Sequence, residues 1–194
     1  MAIASFPATR FRRTTASDAR RRLVREHTLT VDDLIWPIFI REGEDDETPD
    51  QSMPGVSRLT QDRAVGAAED AAELGIPASC LFPYIDTSLK TEACEEAWNP
   101  ENLSNRVTRA IKAAVPEIAI MTDVALDPYN INGHDGIVRN GIILNDESVE
   151  ALVKMTVAQA EAGADIIGPS DMMDGRSGAM RSALEASGHS NVCI

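Results

Sequence analysis

Three carboxylates within 13 residues are the first feature of this sequence that could do chemistry. Asp123 and Asp127 flank a short apolar stretch, and Asp135 follows in the glycine-rich segment Gly133-His134-Asp135-Gly136. The three carboxylates could converge on a substrate or on a cation, and oxygen ligands favour a hard ion such as Mg²⁺ over zinc. Spacing alone leaves an equal alternative, in which Asp127 and Asp135 only hydrogen-bond turns beside proline and glycine. His134 has no second histidine nearby, so loop packing is expected for it rather than metal binding.

A second cluster, Pro169-Ser170-Asp171-Met172-Met173-Asp174-Gly175-Arg176, follows an apolar run and leads into a helical pattern. Ser170 and Asp171 are therefore expected at the end of a strand, where side chains can reach a ligand. Asp174 is expected to cap the helix that follows. A serine nucleophile is discounted, because no histidine follows in the position of a general base.

Only three lysines are present, Lys90, Lys112 and Lys154. Lys112 and Lys154 fall on exposed positions of predicted helices, and Lys90 falls in a polar loop. None lies at an apolar strand end, where desolvation would lower the pKa of an amine enough for imine chemistry. The sequence predicts that all three are solvated surface charges.

Apolar runs alternate with helical patterns along the chain after about residue 33. Short continuous apolar runs predict strands that are buried on both faces, at residues 34–40, 78–82, 118–124 and 164–168, with a fifth beginning at 191–194. Helices are predicted at residues 60–74, 100–115, 145–162 and 175–187. Thr60 and Asn145 are their expected N-caps, and Gly75, Gly163 and Gly188 their expected ends.

Alternating strands and helices predict a parallel α/β sheet, which is either doubly wound or a barrel. A doubly wound nucleotide-binding sheet would carry a glycine-rich phosphate turn after its first strand, and the sequence has none there. Polar or proline-rich clusters instead follow successive strands, which favours a (β/α)8 TIM barrel with functional groups at the carboxyl ends. Eight such units plus an arm need roughly 320 to 330 residues. With 194 residues, the chain holds about the first half of that barrel.

Charge is distributed unevenly. The net charge is −13, but seven arginines and one acid lie between Arg10 and Arg25. A basic arm beside an acidic body favours docking on a neighbouring subunit over nucleic-acid binding, because the body would repel phosphate. A solvated tail and a transit peptide are the other interpretations of the arm. No apolar stretch approaches the ~20 residues of a membrane span, and three cysteines without a C-x-x-C pair indicate a reducing cytoplasm.

Several ordered segments together resemble the porphobilinogen synthase family, also called 5-aminolevulinic acid dehydratase. The resemblance runs from the arm to the last residue, and residues 169–176 are its most specific part. The other segments are Arg-Phe-Arg-Arg at 10–13 and residues 29–35, 51–56, 74–77, 97–100, 123–127 and 144–147.

The resemblance implies a barrel (residues 33–194, incomplete) behind an N-terminal arm (residues 1–32) that wraps a neighbour, with octamers typical of the family. It also implies condensation of two 5-aminolevulinate molecules into porphobilinogen with loss of two waters, in tetrapyrrole and heme synthesis. Asp123 and Ser170 match family positions that line the active site, and Asp171 is expected at the same mouth. Asp123 would help proton transfer or orient the substrate amine, and the other two would donate or accept hydrogen bonds there.

The expectation about a metal ion follows from positions at which this chain differs from the zinc-dependent members of the family it resembles. Zinc-dependent members carry three cysteines where this chain has Ala125, Asp127 and Asp135. A soft thiolate zinc site is therefore not expected. The chain resembles the aspartate-rich bacterial type, associated with Mg²⁺ or with no required active-site metal, and Asp127 and Asp135 are its candidate ligands.

The family forms imines with the substrate ketones on two lysines, and the resemblance places both beyond Ile194. We therefore expect this chain to be a truncated copy that is inactive and aggregation-prone by itself. A non-catalytic half-barrel partner or regulator of complete subunits is the alternative. An unrelated class I aldolase-type barrel is disfavoured, because aldolases need neither the 123–135 nor the 169–176 segment.

Overall fold

The computed structural model describes residues 5–194, so residues 1–4 of the predicted arm lie outside the described residues. The chain divides into two compact units, with the boundary between Asp33 and Leu34. The first unit contains α1 (Arg12–Thr15) and α2 (Asp18–Leu23), and nearly all of its described residues are exposed. Ser17 caps α2 by accepting a hydrogen bond from the backbone N–H of Arg20.

The second unit is built on a six-stranded sheet. Its strands are β1 (Ile35–Ile40), β2 (Glu47–Pro49), β3 (Ser57–Leu59), β4 (Ala78–Pro83) and β5 (Ala119–Val124), together with a strand close to the C-terminus. Two very short strands, β6 (Val138–Arg139) and β7 (Ile142–Ile143), form a separate hairpin, and β8 (Ile166–Pro169) completes the main sheet. The order across the main sheet is β2-β3-β1-β4-β5-β8.

The order of the parallel strands decides between the two candidate architectures. The strands that are connected through helices, β1, β4, β5 and β8, are neighbours in the order in which they occur in the chain, and every pair is parallel. Strand β3 is also parallel to β1 and lies on its other side, but the chain reaches it through the short strand β2 and without a helix. Cys193 continues the series through a parallel bridge to Ile166 on the far side of β8. A doubly wound sheet would reverse the direction of its helical crossovers and carry helices on both faces, whereas a barrel keeps one crossover direction and carries its helices on one face. The predicted half barrel is therefore confirmed, and the doubly wound alternative is wrong.

Four helices connect these strands: α3 (Gln61–Glu73), α4 (Leu103–Ala114), α5 (Asn145–Glu161) and α6 (Arg176–Ala186). All four were predicted, although α4 starts three residues later than expected because a 3₁₀ turn, Glu95–Trp98, and the Asn102 cap precede it. Within residues 5–194, every helix falls short of the length and hydropathy that crossing a bilayer demands.

The two faces of the sheet differ in burial. Along β5 the burial alternates, with Ile120, Thr122 and Val124 buried and Met121 and Asp123 half-exposed. Ile120 and Val124 belong to one hydrophobic core shared with α3, α4 and α5. The opposite face, which would line the inside of a closed barrel, remains open and leaves Ile35 47% exposed. In this chain, therefore, protein covers only one of the two faces of the sheet.

Two expected N-caps are wrong. Asn145 is the first residue of α5, which has Leu144 at its N-cap position and no side-chain cap. The Asn145 side chain instead accepts a hydrogen bond from the backbone N–H of Asp174 at 2.8 Å. Gly175, at φ 81°, occupies the N-cap of α6 in place of Asp174. A glycine tolerates this left-handed backbone, so the chain turns sharply between Asp174 and the helix.

The sequence predicts no strand at Glu47–Pro49, but these residues form β2, which pairs antiparallel with β3. This short hairpin has no recognisable strand pattern in the sequence, because its strands have only three residues each and contain charged residues. The β6–β7 hairpin was also missed. Its turn, Asn140-Gly141, has positive φ at both residues, the geometry favoured by tight hairpins.

Candidate active site

A cavity of about 260 Å³ lies at the carboxyl ends of β1, β4 and β5. This is the edge of a parallel barrel sheet at which successive strands present side chains to one site. The aromatic rings of Phe39 and Phe82 are stacked there with centroids 5.5 Å apart. The lining residues are Phe39, Arg58, Phe82, Pro83, Tyr84, Asp123, Asp127 and Pro128.

Asp123 and Ser170 meet across the neighbouring strands β5 and β8. Asp123 lies opposite Gly168 in the parallel register, and Ser170 follows immediately after β8. The backbone N–H of Ser170 donates to the Val124 carbonyl at 3.3 Å, which holds the chain beside β5 for one more residue. The Ser170 hydroxyl then donates to the Asp123 carboxylate, with 2.6 Å between Oγ and Oδ1. The structure thus brings together two predicted site residues that are 47 positions apart.

The environment of Asp123 shifts the pKa of its carboxyl group. Burial raises the pKa of this carboxyl group, the Ser170 hydrogen bond lowers it, and the negative charges of Asp127, Asp135 and Asp171 raise it further. The net direction is upward from the ordinary value of 3.8. A carboxyl group whose pKa is moved toward neutrality can exchange protons with a bound ligand, as a general acid or base must.

Asp127 also lines the cavity and shares this electrostatic environment. Burial and the charge of Asp135 raise the pKa of Asp127, while Lys90 lowers it. The charges of Asp127 and Asp135 each raise the pKa of Asp123, so the three carboxylates lie near enough to interact electrostatically. Asp135 itself is not among the cavity-lining residues.

Asp171 lies in the interior of the loop that follows β8 rather than on the cavity wall. Its side chain is completely buried and forms an ion pair with Arg176, with 2.9 Å between Oδ2 and Nε. Its other oxygen accepts the backbone N–H of Met173 at 2.7 Å. Burial raises the pKa of Asp171, against the lowering effects of Met173 and Arg176. This geometry makes Asp171 a support for the loop that presents Ser170.

The described residues contain no group of three or more histidine, cysteine, aspartate or glutamate side chains arranged to hold a metal ion. A magnesium ion does not need such a group, because it usually keeps several waters and binds through one or two carboxylates. That Asp127 and Asp135 form such a pair stays a prediction. His134 uses its Nδ1 to accept the backbone N–H of Gly136 at 2.9 Å, as expected for a loop-packing role.

None of the three lysines lines the cavity. Lys154 is exposed, as predicted, and lies 5.2 Å from the ring centroid of Trp98. Lys90 is half-buried and acts on the pKa of Asp127. The prediction for Lys112 is wrong: its ammonium group donates to Asp165 and to the carbonyls of Pro116 and Ile118 at 3.0–3.2 Å. Helical spacing predicted an exposed position for Lys112. It could not show the partners, because they lie in two later segments of the chain.

Sequence reasoning missed Arg58 and Tyr84. The Arg58 guanidinium lies 4.6 Å from the centroid of the Tyr84 ring and forms an ion pair with Asp50 at 2.8 Å. Both residues come from segments that looked like ordinary turns or strand ends, so their types and spacing carried no signal. Only the parallel alignment of β3 with β1 and of β1 with β4 brings them to the same cavity.

Comparison with known proteins agrees with this geometry. A family model described as delta-aminolevulinic acid dehydratase matches residues 8–194. A delta-aminolevulinic acid dehydratase of Rhodobacter capsulatus is 57% identical over 189 residues, which cover 97% of this chain and 57% of the relative. One from Bradyrhizobium diazoefficiens is 52% identical over 187 residues, covering 96% of this chain and 53% of the relative. The chain spans about half the length of the curated relatives it matches.

A solved structure shows the same fold. The delta-aminolevulinic acid dehydratase (porphobilinogen synthase) of Toxoplasma gondii, solved with its reaction product porphobilinogen, superposes with a TM-score of 0.90 at 41% identity. The match covers 97% of this chain and 53% of that one. With the family model, the relatives and the barrel strand order in agreement, the chain belongs to the delta-aminolevulinic acid dehydratase family.

Proposed function

We propose that this chain contributes one wall of a porphobilinogen synthase active site, which condenses two 5-aminolevulinate molecules with loss of two waters. The observation that carries the proposal is the Asp123–Ser170 pair beside a cavity at the carboxyl ends of parallel strands. Membership in the delta-aminolevulinic acid dehydratase family supports this reaction as the chemistry of the site.

The charges of the site match one end of the substrate. 5-Aminolevulinate carries an ammonium group, and the carboxylates of Asp123 and Asp127 on the cavity wall would attract it. Asp123, with its raised pKa, would accept a proton from that ammonium group, so that the amine becomes nucleophilic. Ser170 would keep the carboxylate oriented while the proton moves.

The imine-forming lysines are proposed to lie outside this chain. Lys90, Lys112 and Lys154 are absent from the cavity lining, and Lys112 is held by Asp165 and two carbonyls. An imine needs an amine that is free to reach the substrate ketone. The 194-residue chain alone would therefore not turn substrate over, and activity would require the remaining strands of the barrel.

Three further properties complete the proposal. Mg²⁺ would bind through Asp127, Asp135 and water, and would supply local positive charge beside the carboxylates. The basic arm would dock on the acidic body of a neighbouring copy, without nucleic-acid or membrane binding. A cytoplasmic location is supported by three cysteines that form no disulfide, with burial raising the pKa of Cys80 to about 12.

The test is borohydride reduction of the natively produced protein in the presence of 5-aminolevulinate, followed by intact mass measurement. Borohydride converts a substrate imine into a stable lysine adduct. An adduct on a chain of roughly 330 residues would support the proposal. An adduct on the 21.0 kDa chain would overturn the placement of the lysines. A native protein of either length without any adduct would contradict catalysis and favour the non-catalytic half-barrel partner.

A further inference from the structure

Gln159 connects helix α5 to the end of strand β5 through both ends of its side-chain amide. The Thr122 hydroxyl donates to Gln159 Oε1 at 2.9 Å, and Gln159 Nε2 donates to the backbone carbonyl of Asp123 at 2.9 Å. The Gln159 side chain is almost completely buried, at 1% exposed. Burying an amide is costly unless its polar atoms are bonded. Both bonds end on the two residues that lead into the candidate site.

The backbone of β5 lacks its usual partner at this point. Ala119 N–H donates to the Pro77 carbonyl, so alternate residues of β5, including Asp123, direct their peptide groups toward β4. The ladder between the two strands ends at the pair Leu81–Thr122. The next donor for the Asp123 carbonyl would be the N–H of residue 83, which is a proline and has none. Gln159 supplies the hydrogen bond that Pro83 cannot.

We propose that Gln159 is a positioning residue for Asp123: it fixes the Asp123 peptide where the β-ladder ends and so holds the carboxylate in reach of Ser170. The Asp123 side chain and its carbonyl share one Cα, so a rotation of the unbonded peptide would move the carboxylate away from the 2.6 Å contact. Gln159 itself is buried beneath the sheet and is not among the cavity-lining residues. A catalytic role for this positioning of Asp123 rests on the proposed function, but the hydrogen-bond geometry of Gln159 does not.

The test is a double-mutant cycle between Gln159→Met and Ser170→Ala, read out by the ¹³C titration of the Asp123 carboxyl group. The natively produced protein is used after treatment with a chelator, and Asp123→Asn identifies the signal. Because the Ser170 bond lowers the pKa of Asp123, Ser170→Ala shifts it upward. Gln159→Met is expected to shift it in the same direction. In the Ser170→Ala background, Gln159→Met is expected to add little, since the bond it protects is already gone.

Thr156→Val is the matched control. Thr156 is buried one turn earlier on α5, and its hydroxyl has no hydrogen-bond partner within residues 5–194. Its removal should leave the Asp123 titration unchanged. If Gln159→Met lowers stability but leaves the pKa of Asp123 where it was, Gln159 is only structural and the proposal is overturned.

A second variant covers the case in which Gln159→Met fails to fold. Thr122→Val preserves side-chain shape and removes only the donor that anchors Gln159 Oε1. An upward but smaller shift of the Asp123 pKa is expected. An unchanged titration in a folded Thr122→Val chain would count against the proposal. None of these measurements uses substrate, so they remain interpretable if the proposed reaction is wrong.

Discussion

Asp165 and Asp123 both join β5 to β8, but they do so at opposite ends of the two strands. At the amino end, Asp165 Oδ2 accepts from the Lys112 ammonium at 3.0 Å and from the Ile120 backbone N–H at 2.8 Å. At the carboxyl end, Asp123 accepts from the neutral Ser170 hydroxyl, and the charged groups that act on its pKa are three carboxylates.

An aspartate side chain therefore has a different role at each end of the two strands. A carboxylate held by an ammonium group and a backbone donor is satisfied and stabilises the strand pair. A carboxylate among like charges is kept at a cost in stability, which is characteristic of functional sites. In barrels the amino ends of the strands serve stability and the carboxyl ends serve chemistry. The following changes would break or sharpen that division.

The largest effect is expected from Arg176→Met, which removes the cation paired with the fully buried Asp171. Stranding a buried carboxylate should lower the free energy of unfolding by about 3 kcal/mol at pH 7, as measured by urea denaturation. The burial-raised pKa of Asp171 would rise further, so the loss should shrink as the pH falls and the group becomes protonated. The double variant Asp171→Asn/Arg176→Met should regain most of the loss. An equal loss in single and double variants would show that packing, not charge, is responsible.

Lys112→Met tests the amino end. It removes three hydrogen bonds and the partner of Asp165, and the partial exposure of both side chains, 24% and 41%, limits the loss to about 2 kcal/mol. Urea denaturation measures it. Lys154→Met is the control, since that lysine is exposed and should cost under about 0.5 kcal/mol. Equal effects of the two variants would remove the distinction between the two ends.

Asp123→Asn is expected to act in the opposite sense and stabilise the chain by about 1 kcal/mol at pH 7. The folded-state pKa of Asp123 lies above its ordinary 3.8, so ionisation opposes folding above that raised pKa. The gain should therefore be full at neutral pH and vanish as the pH falls through the raised pKa to below 3.8. Asparagine can still accept from Ser170. Thermal unfolding at several pH values measures the effect, and a destabilised variant at pH 7 would contradict this account of the carboxyl end.

The smallest effect is expected from magnesium. An ion bound by Asp127 and Asp135 would relieve the repulsion at the carboxyl end and stabilise the fold by ~0.4 kcal/mol when its concentration equals Kd. Thermal unfolding with Mg²⁺ and with a chelator measures this difference. It should disappear in Asp127→Asn, whereas Asp146→Asn, an exposed change at the start of α5, should leave it intact.

Much of the fold was predictable because it depends on local patterns. The four parallel strands and four helices follow from apolar runs, helical periodicity and glycine ends, and these act over a few residues. The caps at Asn145 and Asp174 were mispredicted for the same reason. Each residue type caps helices in general, but here the two residues bond to each other across the chain.

The candidate site was predictable only in part. The acidic and polar clusters at strand ends identified Asp123, Asp127 and Ser170, because polar side chains directly after apolar strands are unusual. Arg58 and Gln159 carried no such signal. Gln159 lies in the middle of a helix and acquires its partners only through the packing of α5 on β5.

The sequence by itself determined the strand-and-helix alternation, the charge imbalance between arm and body, and the types of the polar residues at the strand ends. The tertiary structure alone decided that Asp165 pairs with a cation and that Asp123 does not. That outcome depends on register: pairing Met121 with Ile166 places Asp165 beside Lys112 and Asp123 beside Ser170. Electrostatic and hydrogen-bond energies fall off over a few ångströms, so they are set by spatial neighbours that lie tens of residues apart in the chain.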